Sequence, residues 1–280
     1  MKLLICTQKL DQSDPVLGFF VRWVEEFKKH CEVEVVTLKD LGGGGRLMRA
    51  LRLLRLAGQL EYDAVFVHMN PEYLVAAGWL WRLRGKRTAL WYTHKSVDLK
   101  LRVAVLFADV IFTASRESFR LPNNKVRVMG HGIDTDFFKP DPSIVRGDWW
   151  VSVGRLNKSK RHDLAIRAAA QADKELHIAG EGPERASLEA LARELGARVV
   201  FLGPLTQMQL RDVYRRAALL VHRSETGSLD KVVLEAAACG LPVDTTDPAL
   251  ARLPLSVEYV RAHHSLASLA LRIVSELSHA

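Results

Sequence analysis

The feature that most constrains the fold of this chain is the repeated alternation of short apolar runs with longer amphipathic stretches. The runs are rich in β-branched and aromatic residues, which favour strands, and the stretches between them carry helical periodicity. Strands that alternate with helices build parallel sheets from βα units, so the sequence predicts an α/β fold. The predicted strands cover residues 2–6, 33–37, 64–68, 88–92, 110–113, 126–129, 149–153, 175–179, 198–202, 217–222 and 241–245.

A proline-containing segment over residues 137–148 separates six of these strands from the other five, and we interpret it as a linker. The sequence therefore predicts a first Rossmann-like domain over residues 1–142 and a second over residues 143–262. A closing helix is expected over residues 263–280, with packing against the first domain as one option. Doubly wound domains bind ligands at the carboxyl ends of their strands, so two of them are expected to face a cleft.

Composition places the chain among soluble globular proteins. Hydrophobic residues make up 48% of the chain, but no apolar run approaches the roughly 20 residues of a membrane-spanning helix. The apolar start of the chain is too short for a signal peptide, so a cytoplasmic location is expected. The three cysteines lie far apart in sequence and are expected to be free thiols. The net charge of +8 predicts a surface that attracts anions.

Two cations follow the first strand of the second domain, in the segment VGRLNKSK. Arg155 and Lys160 in this loop are suited to bind a diphosphate, because they neutralise the charge that grows on a leaving group as its bond breaks. Taken by itself, the same pattern also fits a solvated basic loop.

The segment ETGSLDKVVLEAAACGLPV, residues 225–243, has the pattern of a glycine loop that leads into a helix. Thr226, Gly227 and Ser228 form the loop, with Ser228 as the expected N-cap, and the helix is predicted from Leu229 to residue 239. A helix N-terminus preceded by such a loop offers free N–H groups to a phosphate without a metal. Glu235 lies within the helix, where its carboxylate could accept hydrogen bonds from ribose hydroxyls or form a surface ion pair.

Taken together, these segments resemble the retaining, family 4 glycosyltransferases, also called glycosyl transferases group 1. The resemblance covers most of the chain and is most specific in the second half. The matching segments are GRLNKSK at 154–160, IAGEGPE at 178–184, FLGPL at 201–205, LEAAACGLPV at 234–243, YTHK at 92–95 and GHGIDTDFF at 130–138.

The resemblance implies a GT-B fold and metal-independent transfer of a sugar, with retention of configuration, from a nucleoside-diphosphate sugar to a hydroxyl acceptor. It assigns the donor diphosphate to Arg155 and Lys160 and the ribose to Glu235. His94 matches a histidine that reaches the donor sugar from the acceptor domain, and Gly182 matches a glycine beside the nucleotide. The nucleotide phosphate itself would help to deprotonate the acceptor, without a separate base or a cofactor.

The sequence departs from the family at a paired-glutamate motif whose second member is Glu235. The first member would stand eight residues earlier, at Gly227, and the nearest acid is Glu225. Either Glu225 reaches the sugar through a remodelled loop, or the N–H groups of Gly227 and Ser228 replace the carboxylate, or turnover is poor. Typical members also carry more helical sequence after Thr246, so this is a compressed form.

Three further patterns carry less weight. The DxD triplet at Asp134 and Asp136 binds a divalent metal in other glycosyltransferases, but here it stands in the linker motif, so no metal site is predicted. The glycines at 42–45 lack the lysine of a phosphate-binding loop and predict a flexible connection, with gating of the acceptor as the alternative. Lys9 and Gly18, in the first loop, either line the acceptor pocket or belong to a simple connection.

The segment 46–60 places arginines at three-residue spacing between leucines. Such a helix can lie on an anionic membrane, where each basic residue contributes roughly 1 kcal/mol. The alternative is an ordinary surface helix whose leucines all cover the sheet. A membrane contact would suit a lipid-linked or glycan acceptor.

Two other functions fit parts of the sequence. A basic polyanion-binding module would need a nucleic-acid motif, and the sequence contains none that we recognise, so no nucleic-acid partner is expected. A GT-B relative that binds nucleotide but is catalytically silent, or a sugar-nucleotide epimerase, would account for the missing glutamate.

Overall fold

The computed structural model describes residues 1–14, 16–225, 227 and 229–278. The chain divides into two compact units. Unit 1 contains residues 1–12, 17–132 and 266–280, and unit 2 contains residues 13–16 and 133–265. The boundary proposed at residue 142 therefore lies inside unit 2, and the predicted linker is part of that unit.

Unit 1 contains one six-stranded parallel sheet in the order β2-β1-β3-β4-β5-β6. Its strands are β1 (Lys2–Thr7), β2 (Glu32–Thr37), β3 (Ala64–His68), β4 (Arg87–Trp91), β5 (Val110–Thr113) and β6 (Val126–Val128). Its helices are α1 (Phe19–Lys28), α2 (Arg46–Gln59), α3 (Glu72–Leu83), α4 (Leu99–Phe107) and the last helix of the chain, α10 (Leu266–Ser278).

Apolar side chains from the helices cover both faces of this sheet. Helices α2, α3 and α4 pack on one face, around Trp81 and Leu74, and α1 and α10 pack on the other, around Phe27 and Ile273. Strand β3 is buried along its whole length, as expected for a central strand of a parallel sheet. The closing helix therefore belongs to the core of unit 1.

Unit 2 contains a five-stranded parallel sheet in the order β11-β10-β7-β8-β9. Its strands are β7 (Trp150–Val153), β8 (Leu176–Ala179), β9 (Val199–Gly203), β10 (Leu219–His222) and β11 (Val243–Thr245). Its helices are α5 (His162–Gln171), α6 (Arg185–Glu194), α7 (Gln207–Arg216), α8 (Lys231–Ala238) and α9 (Val257–His264). Helices α5 and α6 cover one face and α7, α8 and α9 cover the other.

All eleven predicted strands overlap the observed ones, so the predicted fold class of two Rossmann-like parallel sheets is confirmed. Local signals also set some helix starts. Thr206 and Gln209 form a capping box at the start of α7, and the Asp98 carboxylate accepts a hydrogen bond from Leu101 N at the start of α4. Within the described part of the chain, no helix has both the length and the apolar character needed to cross a membrane.

Candidate functional site in unit 2

The strand order of unit 2 places the candidate site between β7 and β10. The chain runs from β7 outward to β8 and β9, then returns to the other side of β7 to form β10 and β11. The loops after β7 and β10 therefore diverge to opposite faces of the sheet. A crevice at such a switch point is where doubly wound sheets bind ligands. Arg155 and Lys160 follow β7, and Glu225 and Gly227 follow β10.

The loop after β7 is fixed by backbone hydrogen bonds to the loop after β8. Gly154 N donates to Ala179 O at 3.0 Å, and Leu156 N donates to Glu181 O at 2.8 Å. A side chain at Gly182 would overlap the Leu156 carbonyl, so only glycine allows the two loops to approach this closely. This contact leaves the Arg155 side chain exposed at the end of β7.

Lys160 is held by an acid from the neighbouring loop. Its ammonium nitrogen forms an ion pair with Asp230 Oδ2, and both side chains are largely buried, at 16% and 15% exposure. The same oxygen lies 3.1 Å from His222 Nε2, at the end of β10. The Lys160 cation thus sits at the switch point with its charge already partnered.

The Asp230 carboxyl is ionised in this arrangement. Burial acts to raise its pKa, but the hydrogen bond from His222 and the charge of Lys160 lower the pKa far below the usual range of an aspartate. The anion that results holds Lys160 on one side and His222 on the other.

Helix α8 begins later than the sequence predicted. It starts at Lys231, with Asp230 at the N-cap, whereas the prediction placed Ser228 at the N-cap and the helix start at Leu229. The predicted helix start is therefore wrong by two residues, and the phosphate site near Ser228 stays a prediction. The Asp230 side chain makes no capping hydrogen bond to the helix, and its Oδ2 contacts Lys160 and His222.

The loop between β10 and α8 binds other parts of unit 2. Glu225 is 62% exposed and forms an ion pair with Arg161, and its backbone N–H donates to Ser159 O at 3.0 Å. The N–H of Gly227 donates to Asp247 Oδ2 at 2.9 Å. That N–H was expected to be available to the donor, and here Asp247 accepts it.

Two other residues of this loop were expected to bind the donor. The Leu229 side chain packs in the hydrophobic core of unit 2, because the later helix start turns it inward. Ser228 lies outside the described residues.

Glu235 lies in α8 with only 2% of its side chain exposed, so the alternative in which it forms a surface ion pair is wrong. Its Oε1 lies 3.3 Å from Lys231 Nζ, one turn earlier in the helix. Burial raises the pKa of Glu235, and the charge of Lys231 acts in the opposite direction. A buried carboxylate is costly without partners, and Glu235 Oε1 makes no hydrogen bond to the described residues, so the ion pair with Lys231 offsets only part of this cost.

The remaining predicted site residues lie in unit 1. His94 is exposed after β4, where its Nδ1 accepts a hydrogen bond from Ser96 N at 3.1 Å. Lys9 is exposed and forms an ion pair with Asp11 at 2.9 Å. Gly18 is buried and occupies the N-cap of α1, which favours a structural role in the first loop.

Sequence reasoning missed a buried histidine at the switch point of unit 1, between β1 and β3. His68 ends β3, its Nδ1 lies 3.4 Å from Thr7 Oγ1, and its ring stacks on Phe20 at 3.9 Å between centroids. It also missed Asp230 and His222. The available signal was an acid directly before a helix and a histidine at a strand end, but only the fold brings these residues to Lys160.

The acidic residues of the DxD triplet have a structural role. Asp134 Oδ1 accepts hydrogen bonds from Asp136 N at 3.2 Å and Phe137 N at 3.0 Å, which closes a turn. Across the described ranges, no group of three histidine, cysteine, aspartate or glutamate side chains is placed to hold a metal ion.

Two curated relatives align with about half of this chain. The gpi3 subunit of the phosphatidylinositol N-acetylglucosaminyltransferase of Schizosaccharomyces pombe is 37% identical over 131 residues, which are 44% of this chain and 29% of the relative. The D-inositol 3-phosphate glycosyltransferase of Mycobacterium leprae is 34% identical over 150 residues, 48% of this chain and 35% of the relative. The alignments thus span about a third of these relatives.

The fold has a solved counterpart over its whole length. Anabaena HepE, solved in complex with UDP and glucose, superposes with a TM-score of 0.72 over 100% of both chains at 18% identity. The solved structures that this chain resembles have the GT-B fold, so the predicted GT-B architecture is confirmed. The family model of glycosyl transferases group 1 matches residues 136–252, a segment that contains Arg155, Lys160 and Glu235. The resemblance read from the sequence is thus confirmed over residues 136–252, which match the model of that family.

Proposed function

We propose that this chain transfers a sugar from a nucleoside-diphosphate sugar to a hydroxyl acceptor, and that unit 2 binds the donor. The observation that carries the proposal is the pair of cations, Arg155 and Lys160, at the switch point of a sheet within the matched segment. Both curated relatives are named as glycosyltransferases, and the HepE structure holds UDP and glucose.

The chemistry requires charge stabilisation on the leaving group. As the bond from the sugar to the diphosphate breaks, negative charge accumulates on the phosphate oxygens. Arg155 can donate two parallel hydrogen bonds to a phosphate, and Lys160 supplies a compact charge. Contacts that strengthen as this charge develops lower the barrier, rather than only increasing affinity for the donor.

The finer parts of the proposal rest on the resemblance. Transfer would proceed with retention and without a metal or other cofactor, and a donor phosphate oxygen would take the acceptor proton. His94 would contact the donor sugar, and Gly182 would lie beside the nucleotide. Glu235 would accept hydrogen bonds from the ribose hydroxyls, and its burial in a site with one cationic partner supports an engaged carboxylate there.

The missing glutamate favours the loop after β10 as the part of the donor site that differs from other members. The N–H of Gly227 donates a hydrogen bond to Asp247, and Glu225 forms an ion pair with Arg161. A sugar contact from Glu225 would require this ion pair to open. Because Glu225 is well exposed and solvent screens surface pairs, breaking this pair costs little. A catalytically silent relative or an epimerase therefore stays as the alternative function.

An anionic membrane surface is a second proposed partner, and its support is the outer face of α2. Leu47 and Leu51 are 73% and 52% exposed, so the alternative in which nearly all leucines cover the sheet is wrong for these two. Not all four arginines are free to face lipid, since Arg52 donates to Leu41 O and Gly43 O, and Arg49 donates to Gly42 O. These bonds tie the glycine run to the helix.

We propose that this face makes a peripheral contact with the cytoplasmic side of a membrane, where a lipid-linked or glycan acceptor would be available. Co-sedimentation with phosphatidylglycerol vesicles should decrease when Leu47 and Leu51 are both replaced by Ser. The control is the replacement of the exposed Leu83 of α3 by Ser. Equal binding by all three proteins would contradict the membrane proposal.

The transferase proposal is tested in two steps. Thermal stabilisation by UDP, GDP, ADP and their sugar conjugates identifies the donor base, because a ligand of the native state raises apparent stability. Mass spectrometry of an acceptor panel with the stabilising donor then detects transfer. Binding without transfer or hydrolysis would favour the silent relative, a changed sugar on the nucleotide would favour the epimerase, and absence of nucleotide binding would contradict the proposal.

A further inference from the structure

We infer that Asp230 and His222 form a positioning pair that orients Lys160 toward the donor diphosphate and sets how strongly the free diphosphate is held. The inference rests on the proposed function. It assigns a role to two residues that the sequence did not mark as part of the site, and that the fold brings to Lys160.

The first argument is the geometry of the buried network. Lys160 Nζ and His222 Nε2 both contact Asp230 Oδ2, and His222 Nδ1 lies 2.9 Å from Thr245 Oγ1. Thr245 Oγ1 also accepts a hydrogen bond from Asp247 N at 3.2 Å, so its own proton is available to His222 Nδ1. This pattern fits an imidazole that donates from Nε2 to Asp230 and accepts at Nδ1 from Thr245.

The second argument is what Asp230 does not do. An aspartate at an N-cap ordinarily accepts a hydrogen bond from the first turn of its helix. Asp230 occupies that position before α8 without making the bond, and its Oδ2 contacts Lys160 and His222. The contacts of this side chain in the structure are therefore with the candidate site and not with its own helix.

The third argument is the effect on Lys160. A lysine has four rotatable side-chain bonds and a point charge, so it orients poorly unless a partner fixes it. An acid behind the ammonium fixes its direction and also offsets part of its charge. Free diphosphate is then bound less tightly, while Lys160 is already in place when charge develops on the leaving group.

The test separates orientation from affinity. Asp230→Asn keeps the size of the side chain and an oxygen that can accept from His222, but removes the charge. We expect kcat to fall roughly tenfold, the scale of a small misplacement of a group that stabilises the transition state. Affinity for the nucleoside diphosphate should stay constant or rise a few-fold, because Lys160 is no longer neutralised. If Asp230 had a purely structural role, the substitution would instead lower both kcat and the affinity for the nucleoside diphosphate.

A double substitution tests whether Asp230 acts through Lys160. In a Lys160→Met background, Asp230→Asn should cause no further loss of kcat, since the group that it orients is gone. Additive losses would overturn the inference. Asp244→Asn is the matched control. Asp244 lies in β11 and pairs with Arg223, which follows β10, and not with Lys160. The control variant should behave as the wild type.

The role of His222 is tested by a pair of substitutions. His222→Leu removes the donor to Asp230 and should lower kcat, while His222→Gln, which retains an N–H donor, should recover most of that loss. Equal losses in the two variants would contradict the hydrogen bond as the cause.

One readout does not depend on turnover. Labelling of Lys160 by an amine-reactive acetylating reagent, measured by peptide mass spectrometry without nucleotide, should rise several-fold in Asp230→Asn. Unchanged labelling would overturn the assignment of Asp230 to Lys160. Wild-type protein that binds none of UDP, GDP and ADP would contradict the proposed function, and the labelling would still decide whether Asp230 holds Lys160.

Discussion

Replacing Glu235 by Gln gives a sharp test of the donor site. The substitution keeps the volume of a side chain that is only 2% exposed and removes its charge. A hydrogen bond to a charged group contributes about 1.5–3 kcal/mol, and a neutral one about 1 kcal/mol. If ribose hydroxyls donate to Glu235, the nucleoside diphosphate should bind the variant about 1–2 kcal/mol more weakly, or about 5- to 30-fold.

The packing of Glu235 decides which substitution to use. Glu235→Ala would create a cavity and leave Lys231 without its ion-pair partner, so a loss of binding could follow from a disturbed helix. Glu235→Gln retains an oxygen near Lys231 and should leave the melting temperature of the unliganded protein nearly unchanged. A large decrease of that temperature would show that the carboxylate mainly stabilises α8.

The assay is isothermal titration with the nucleoside diphosphate that binds and with its 2′,3′-dideoxy analogue. The analogue lacks the hydroxyls, so it should bind wild type and Glu235→Gln with equal affinity. It should bind both proteins more weakly than the natural ligand binds the variant, because the glutamine of the variant can still accept a neutral hydrogen bond from the hydroxyls. If the substitution weakens both ligands by the same factor, Glu235 does not contact the ribose, and the reasoning is refuted.

Three other predictions concern unit 2. Burial lowers the pKa of His162 from 6.5 to about 4, so the native state keeps this ring neutral. The stability that comes from this neutral ring is fully present above pH 6.5 and is lost as the pH falls toward 4, by at most about 3 kcal/mol. The substitution His162→Gln should therefore flatten the decrease in melting temperature between pH 7 and 5. An unchanged slope would refute the assignment. Gly182→Ala should weaken nucleotide binding at least tenfold, because the new methyl group overlaps the Leu156 carbonyl and displaces the loop of Arg155; titration against the wild type measures this, and unchanged affinity would separate the loop from the donor site. Activity should persist after treatment with EDTA, whereas loss of activity that Mg²⁺ or Mn²⁺ restores would reopen a metal role.

The fold was predictable because its signals are local. A strand such as β3 is an apolar run that is buried on both faces, and the helices between strands have one apolar side, so pattern and period locate both. The eleven strands follow from such runs. The order of the strands within each sheet and the assignment of α10 to unit 1 depend on contacts between distant segments, which a local pattern does not contain.

The candidate site was predictable only where a motif carried it. Arg155 and Lys160 follow a strand, and that position alone brings them to the end of the sheet. The start of α8 was predicted wrongly because Ser228 is a good N-cap by type, whereas the observed N-cap is Asp230, fixed by Lys160 and His222 from two other loops. Local capping preference is weaker than a buried ion pair, and the sequence does not show which residues form the pair.

The position of α10 affects the order in which the two units can complete their folding during synthesis. Unit 2 consists almost entirely of residues 133–265, whereas α10 follows it in the chain and covers one face of the sheet of unit 1. Leu269 and Ile273 lie in the same apolar cluster as Phe20 and Phe27 of α1, so this cluster stays incomplete until the ribosome has made unit 2. Unit 1 begins to form first and is completed last. A nascent chain that stops within unit 2 would expose an apolar face of a parallel sheet, which makes it a candidate for chaperone binding.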